Sequence, residues 1–395
     1  MTIFGIFLIN QIRTGGDRDY IELLELLAER GNKVYVILNS FLEYKPKFII
    51  PIYLSIKYIR HRLPPASYLF KKNIKKYLKN IIENFNNDSP CFIHIHGDIY
   101  LKSAIFLKKQ LNIPLFYASR LNDISKAILL RKYKAYTVKE YIYSILYENI
   151  RRYREKQIAK HSDIICFLNP TDKDIFLSRT YSKPRKGETS CVKNNVIIIP
   201  NHIGLPHFTD ETKNKNNSKN VSRIVYAGSL SPAKGLWDLL KAAAILKNEG
   251  FELFYFILGR KENEKRTLKL IEKLNLNENI SIEGFTSPFP FFIKCDLFVY
   301  PTLYDDFGNV VTEALHCGCP VFASKSTGPS FILQHEELLF ELGAPSEIAV
   351  KIKKCIIDND YYQKIRSLCA ERTEHFHFDW AEKFETAMKD YLQKK

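Results

Sequence analysis

At 395 residues the chain exceeds what one hydrophobic core usually organises, so two domains are expected. Its apolar content of 46% is ordinary for a soluble globular protein. The most apolar early stretch, FIIPIYLSIKYI, contains Pro51 and Lys57 and falls well short of the ~20 residues a membrane span needs.

The chain opens with IFGIFLIN, a glycine-containing turn, DRDYIELLELLAERG and NKVYVIL. Apolar positions recur at helical spacing through Ile21, Leu23, Leu24, Leu26, Leu27 and Ala28, and Gly31 stops the helix. This predicts a βαβ unit with Gly15 and Gly16 at its first strand-to-helix turn. MTIFGIFLIN carries no charged leader and no small-residue cleavage site, so it reads as a buried strand rather than a signal peptide, and a cytoplasmic location is expected. Further strands are predicted at CFIHIHG (91–97), PLFYAS (114–119), DIICFL (163–168) and VIIIP (196–200), separated by helical stretches that include a long basic and aromatic segment over 124–160. TDETKNKNNSKNVS (209–222) is polar and predicts an exposed loop near a domain boundary. The pattern then restarts with RIVYAG, a helix over 236–247, ELFYFILG, a helix over 265–274, ISIEG, DLFVYP, YDDFGNVVTEALHCG and PVFAS, and ends in an amphipathic helix around Trp380. Alternating strands and helices imply parallel sheets covered on both faces. The fold class predicted is therefore α/β, with two facing Rossmann-like doubly wound domains and a ligand cleft between them, at the carboxyl ends of the strands. The divisions expected are 1–205, 206–375 and a closing helix over 376–395.

Charge separates the halves. The net charge is +16, and residues 1–200 alone carry 34 Lys and Arg against 17 Asp and Glu, while the remainder carries 25 against 26. A compositional bias of the genome should act on both halves, and only one is basic. Between Lys45 and Lys79 ten basic residues and no acidic one are interleaved with Tyr53, Tyr58, Tyr68, Phe70 and Tyr77. That composition suits an anionic surface such as phospholipid head groups or a phosphorylated acceptor. A nucleic-acid module is disfavoured, because no zinc knuckle, RNP-type aromatic strand or helix-turn-helix pattern accompanies the charge.

Eight cysteines lie at 91, 166, 191, 295, 317, 319, 355 and 369 without framework spacing, and read as reduced, mostly buried thiols. Cys317-Gly-Cys319 beside His316 has no second Cys/His pair at zinc spacing, so no metal site is expected. Three D-x-D patterns (Asp17-Asp19, Asp172-Asp174, Asp358-Asp360) are within chance for 43 acidic residues.

In YDDFGNVVTEALHCGCPV (304–321) a helix starting near Asn309 would aim backbone N–H groups and a positive dipole end at an anion. Gly308 would allow close backbone approach, and Phe307 would wall the site. Glu313 suits a ribose diol and Asp305 the hydroxyls of a sugar. The bland alternative makes Asp305 and Asp306 helix caps and Glu313 a surface charge. Lys234, on the turn after a strand, is a candidate diphosphate clamp, with Arg260 a second candidate. His94 and His96 share one strand face, and two readings are open for either: contact with ligand at the strand's end, or a satisfied core or cleft histidine.

Five features in order resemble a retaining glycosyltransferase of family 4, the GT-B architecture: the Gly15-Gly16 turn, IPN (199–201), YAGSLSPAKG (226–235), ILG (257–259) with IEGF (282–285), and DDFGNVVTEALHCGCPV (305–321). The last is similar to the family's E-P-F-G-x-x-x-x-E-A-x-A-x-G-x-P-V signature. The resemblance covers nearly the whole length, including a closing helix that crosses back to the first domain. It implies a nucleotide-diphosphate sugar donor, UDP-linked in this reading, and transfer with retention by front-face displacement. It implies no cofactor and no required metal. Asp305, Glu313 and Arg120 fall at catalytic positions, and Gly15, Gly16, Ser229, Lys234, Arg260, Phe307, Gly308, Asn309 and Val310 at donor-binding ones. The chain departs from the pattern at Asp305, where the family has glutamate, at Asp306 for proline, at Ser229 for arginine and at Arg120 for histidine. The basic first half points to a lipid, lipid-linked or glycan acceptor at the inner face of the membrane. Two alternatives are a same-fold synthase acting on a soluble sugar or sugar phosphate, and a non-catalytic donor-binding partner subunit.

Overall fold

In the computed structural model, which describes residues 1–9, 12, 15–56, 65–83, 91–119, 123–181, 195–202 and 221–394, the buried run Thr2–Phe7 forms β1 and Gly15–Glu29 forms α1. Arg120, Cys191 and residues 209–220 of the polar stretch lie outside the described residues. Gly15 and Gly16 open α1 itself rather than forming a turn ahead of it. β2 (Lys33–Asn39) and β3 (Ile50–Leu54) follow, so the apolar FIIPIYL stretch supplies a strand. Then come α2 (Pro65–Lys76), α3 (Leu78–Glu83), β4 (Cys91–His96), α4 (Leu101–Leu111) and β5 (Leu115–Ala118). The basic-aromatic segment is helical, as three helices, α5 (Asp123–Lys132), α6 (Val138–Leu146) and α7 (Glu148–His161). A turn centred on Lys134, whose φ is 51°, separates the first two. β6 (Ile164–Phe167), α8 (Pro170–Thr180) and β7 (Asn195–Ile198) complete the first sheet.

The second sheet is built from β8 (Arg223–Ala227), α9 (Leu236–Asn248), β9 (Phe254–Leu258), α10 (Glu264–Lys273), β10 (Ile280–Gly284), α11 (Phe289–Lys294) and β11 (Leu297–Tyr300). It continues through α12 (Asn309–His316), β12 (Val321–Ser324), α13 (Thr327–Leu333) and β13 (Leu339–Phe340). Helices α14 (Pro345–Ile357), α15 (Asn359–Glu374) and α16 (Trp380–Gln393) end the chain.

Contacts divide the chain into two units, one of Met1–Asn122, Asn149–Asn201 and Asp379–Lys395, the other of Asp123–Glu148 and His202–Phe378. Each holds one parallel sheet, in the orders β3-β2-β1-β4-β5-β6-β7 and β10-β9-β8-β11-β12-β13. Near-continuous apolar strands such as TIFGIF, buried at every position, are what a sheet covered on both faces demands. In each sheet the strand order reverses beside its first strand, which opens a crevice at the carboxyl ends between β1 and β4 and between β8 and β11.

In the first unit α1 sits so close to β1 that a Cβ at Gly5 would meet Leu24 at 2.8 Å. His94 is fully buried among Tyr20, Phe116 and Phe384, so of the two readings left open for it the core one holds. α16 belongs to this unit: Trp380, Phe384 and Met388 are buried, and Glu385 pairs with Arg30 at 3.2 Å. The seven described cysteines are buried. Asp358 caps α15 by accepting from the Tyr361 amide, and Asp172 accepts from Asn169, so two of the D-x-D patterns hold helix starts. Among the described residues no helix is long and apolar enough to cross a membrane, and no three His, Cys, Asp or Glu side chains cluster for a metal.

Candidate functional site

The loops at the carboxyl ends of β8, β9, β11 and β12 meet at the second crevice because two glycines permit it. Gly235, at φ 70°, lies where a Cβ would be 1.7 Å from the Pro301 carbonyl oxygen. Only glycine tolerates both that conformation and that approach, and the approach sets the loop after β8 against the end of β11. Gly259 is the second case: at φ 146° its Cβ would be 1.7 Å from the Gly228 oxygen. The Leu230 amide then donates to the Arg260 carbonyl at 2.9 Å, which ties the Ser229 and Arg260 loops together.

The result is a compact charged group. Lys234 Nζ donates to Asp305 Oδ2 at 2.6 Å and to the Tyr300 hydroxyl at 3.1 Å, and that hydroxyl donates to Asp305 Oδ2 at 2.6 Å. The side chains of Lys234 and Asp305 are 30% and 19% exposed, so the pair is held largely away from water yet open at one side. Burial opposes both charges, but mutual attraction prevails: Lys234 is raised above the usual lysine range and Asp305 held below the usual carboxylate range. Burial, and then the Asp305 charge, push the Tyr300 hydroxyl up, so it is a neutral donor at neutral pH. The Asp305 backbone is fixed too, its carbonyl accepting from the Gly328 amide at 2.9 Å and the Thr327 hydroxyl at 3.0 Å.

Next to this group α12 begins. Gly308, at φ 90° and ψ 61°, precedes Asn309, and no side chain caps the helix. The positive end of α12, with the Gly308, Asn309 and Val310 amides, therefore lies directly after Asp305 in the chain. Glu313, on the same helix, is only 7% exposed, which removes the surface-charge reading. Phe307 is buried against Phe376, ring centroids 5.7 Å apart, so its side chain packs inside the unit. Ser229 shares a hydrogen bond with Ser231 at 3.0 Å, and the Arg260 guanidinium lies over the exposed Phe285 ring at 5.1 Å. Gly15 and Gly16 stand in the other unit, at the start of α1.

Two participants were missed from the sequence. Tyr300 ends β11, and its strand position alone gave no sign that its hydroxyl would bridge lysine and carboxylate. Lys126, on α5, groups with the second unit although the chain places it within the first half. Burial, and then the like charge of Lys234, hold its ammonium below the usual lysine range, with Asp123, Asp305 and Asp306 opposing. It was one of ten basic residues in 126–160, with nothing local to distinguish it.

Two parallel-sheet α/β units, the second with a charge-paired crevice at the switch point of its sheet, have the GT-B fold. Residues 208–371 match the family model described as Glycosyl transferases group 1. Among curated proteins the chain is similar to an uncharacterized glycosyltransferase of Methanocaldococcus jannaschii, 29% identical over 68% of this chain and 64% of that one. It is also similar to a probable sucrose-phosphate synthase of Thermosipho melanesiensis, 25% identical over 96% of this chain and 90% of that one. A third relative is the Campylobacter jejuni N-acetylgalactosamine-N,N'-diacetylbacillosaminyl-diphospho-undecaprenol 4-alpha-N-acetylgalactosaminyltransferase, 27% identical over 39% of this chain and 42% of that one. The chain thus spans just under two thirds of the first of these relatives and less than half of the third. Among solved structures, sucrose-phosphate synthase from Thermosynechococcus elongatus superposes with a TM-score of 0.78 at 19% identity, with both chains fully covered. Anabaena HepE, in complex with UDP and glucose, superposes at 0.70 and 18% identity over 100% of this chain and 99% of that one.

Proposed function

We propose that the protein transfers a sugar from a nucleotide-diphosphate donor, UDP-linked in our reading, to a lipid-linked or other cell-envelope glycan acceptor. The observation that carries this is the Lys234–Tyr300–Asp305 group beside the uncapped start of α12. A diphosphate brings charge that an ammonium and a helix N-terminus together can meet. A sugar brings hydroxyls that a carboxylate can accept, and a ribose diol suits the buried Glu313. In the structure Asp305 is paired with Lys234. On donor binding Lys234 turns to the phosphate oxygens, and Asp305 is released to the sugar while keeping the Tyr300 hydroxyl. Lys126, whose ammonium feels the charges of Lys234, Asp305 and Asp306, is the candidate for a second positive charge where Ser229 provides none.

In this scheme the bond from the anomeric carbon to the leaving phosphate oxygen breaks, and the acceptor oxygen bonds to that carbon on the same face. The acceptor proton passes to the departing phosphate oxygen, so configuration is retained. Lys234, Lys126 and the α12 amides stabilise the charge that develops on the phosphate, without a metal. The basic first half and the Campylobacter relative, whose name specifies a diphospho-undecaprenol-linked acceptor, favour a lipid-linked acceptor at an anionic membrane surface. The full-length similarity to a probable sucrose-phosphate synthase keeps a soluble sugar phosphate as the second reading.

A thermal-shift screen of nucleotide sugars tests the donor reading, since a true donor stabilises the fold by mass action. A UDP-sugar should raise the melting temperature of the wild type, and at the same concentration should raise that of Lys234→Ala by less. No shift with any nucleotide sugar would sink the proposal.

A further inference from the structure

Helix α6 is amphipathic with its apolar face turned outward. Val138, Tyr141, Ile142, Ile145 and Leu146 fall at i, i+3, i+4, i+7 and i+8, the spacing of a single helical stripe. They are 79%, 45%, 52%, 49% and 64% exposed, whereas the one buried residue of the helix is Ser144. Isolated exposed apolar side chains are ordinary, but five in one stripe are not. The helix is also firmly specified. Thr137 and Glu140 form a reciprocal capping box, the Thr137 amide donating to Glu140 at 2.8 Å, and Glu148 just beyond its end pairs with Arg131 of α5 at 2.8 Å. Those contacts occupy both acidic residues of 137–148, while Lys139 within the helix and Lys132 and Lys134 in the chain just before it are exposed. The Lys139 ammonium sits 5.9 Å from the Tyr143 ring centroid.

We propose that α6 docks on an anionic lipid bilayer, its stripe entering the boundary between head groups and acyl chains while Lys132, Lys134 and Lys139 meet the phosphates. Charge decides the occupant. In a two-fold pairing of this face with a second copy, the three lysines would be brought toward their own like charges, whereas an anionic leaflet supplies the opposite sign. Tyrosine at the edge of the stripe suits the same boundary, with its ring buried and its hydroxyl wet. This deepens the lipid-linked acceptor reading and depends on it for its purpose, since a chain docked through α6 is held at the surface where such an acceptor resides.

The test uses the full chain in co-sedimentation with phosphatidylglycerol-containing and pure phosphatidylcholine vesicles at low salt. The wild type should bind the anionic vesicles at least tenfold better than the zwitterionic ones. Ile142→Glu/Leu146→Glu should lower anionic binding by tenfold or more, as should the triple Lys→Gln change at 132, 134 and 139. A Leu146→Trp reporter should shift its fluorescence to the blue with anionic vesicles only. Absence of wild-type binding, or vesicle binding unchanged by the Glu pair, would overturn the proposal. So would a dimer in solution that the Glu pair dissociates while vesicle binding is nil, a result that assigns the face to a second copy. UDP-dependent thermal stabilisation of the same variants shows that they are folded and keeps the two readings apart. Vesicle binding without any nucleotide response would refute the donor site alone, and the reverse would refute the docking face alone.

Discussion

Replacing Lys234 by alanine and Asp305 by asparagine, singly and together, probes the group on which the donor reading depends. The pair is short, at 2.6 Å, and mostly shielded, with side chains 30% and 19% exposed. A charge-assisted bond of this kind contributes about 1.5–3 kcal/mol. Lys234→Ala leaves Asp305 with the Tyr300 hydroxyl and the Phe307 amide, so we expect a loss of about 1–2 kcal/mol, or about 2–8 °C in the melting transition of a unit this size. For UDP the loss of the ammonium costs about 1.5–3 kcal/mol, but the wild type must first give up its internal pair, which offsets about 1 kcal/mol. The net expectation for Lys234→Ala is UDP binding weaker by about 2- to 30-fold. Asp305→Asn removes the internal competitor, so UDP should bind as tightly as to the wild type or up to about fivefold tighter, while the UDP-sugar loses its hydroxyl acceptor and binds more weakly. Calorimetric titration of the four proteins with UDP and with a UDP-sugar measures all of this. Two results would refute the reasoning: UDP affinity within twofold of wild type in Lys234→Ala, or a loss in Asp305→Asn as large as in Lys234→Ala.

Gly235→Ala should destabilise the second unit by about 2–4 kcal/mol in denaturant unfolding, since its φ is 70° and a Cβ would overlap the Pro301 carbonyl; UDP binding should fall with it because Lys234 moves. Lys126→Met should raise the melting temperature of the ligand-free protein slightly, because charging this ammonium is disfavoured in the fold, and should weaken UDP binding by a few-fold; a variant that binds UDP unchanged would remove Lys126 from the site. Glu25 accepts from the Tyr44 hydroxyl and the Lys47, Phe48 and Ile49 amides, and although burial opposes its charge these bonds hold its carboxyl below the usual range. With the folded value depressed, as for Asp305, the stabilisation is complete above the usual carboxylate range of about 4 and is lost as pH falls through the folded values. Urea unfolding at neutral and acid pH should therefore show a smaller acid loss in Glu25→Gln than in the wild type. Asp305→Glu restores a longer reach and should change the ranking of donor sugars in a competition assay, leaving UDP affinity within a few-fold.

Where apolar runs were long and bounded by turn residues, the sequence declared its strands: β1, β4, β5, β6, β8, β9, β11 and β12 fall where periodicity put them. β3 and the two-residue β13 escaped because Pro51 interrupts the first and the second is too short to show a pattern. The basic segment over 124–160 was read as helical, but its division depends on a left-handed residue at Lys134, a conformation that lysine does not advertise. The site was partly legible. Asp305, Glu313 and Lys234 carried a motif, and the structure brings Lys234 to Asp305. Tyr300 and Lys126 acquire their roles only through three-dimensional proximity, one across neighbouring loops and the other from a helix distant in sequence. Phe307 was read as a wall and is packed against Phe376, a contact with a residue 69 positions away that no local pattern encodes.

The central claim is that the second unit holds a nucleotide sugar for transfer, and donor turnover tests it most directly. Release of UDP from a UDP-sugar, followed with and without a lipid extract as acceptor, should be measurable for the wild type, rise with the extract, fall at least 100-fold in Lys234→Ala, the order of loss when a group that stabilises the developing charge is removed, and fall in Glu313→Ala as the ribose loses its acceptor. Turnover that persists undiminished in both variants, or a wild type that binds UDP-sugars and never releases UDP, would contradict the account.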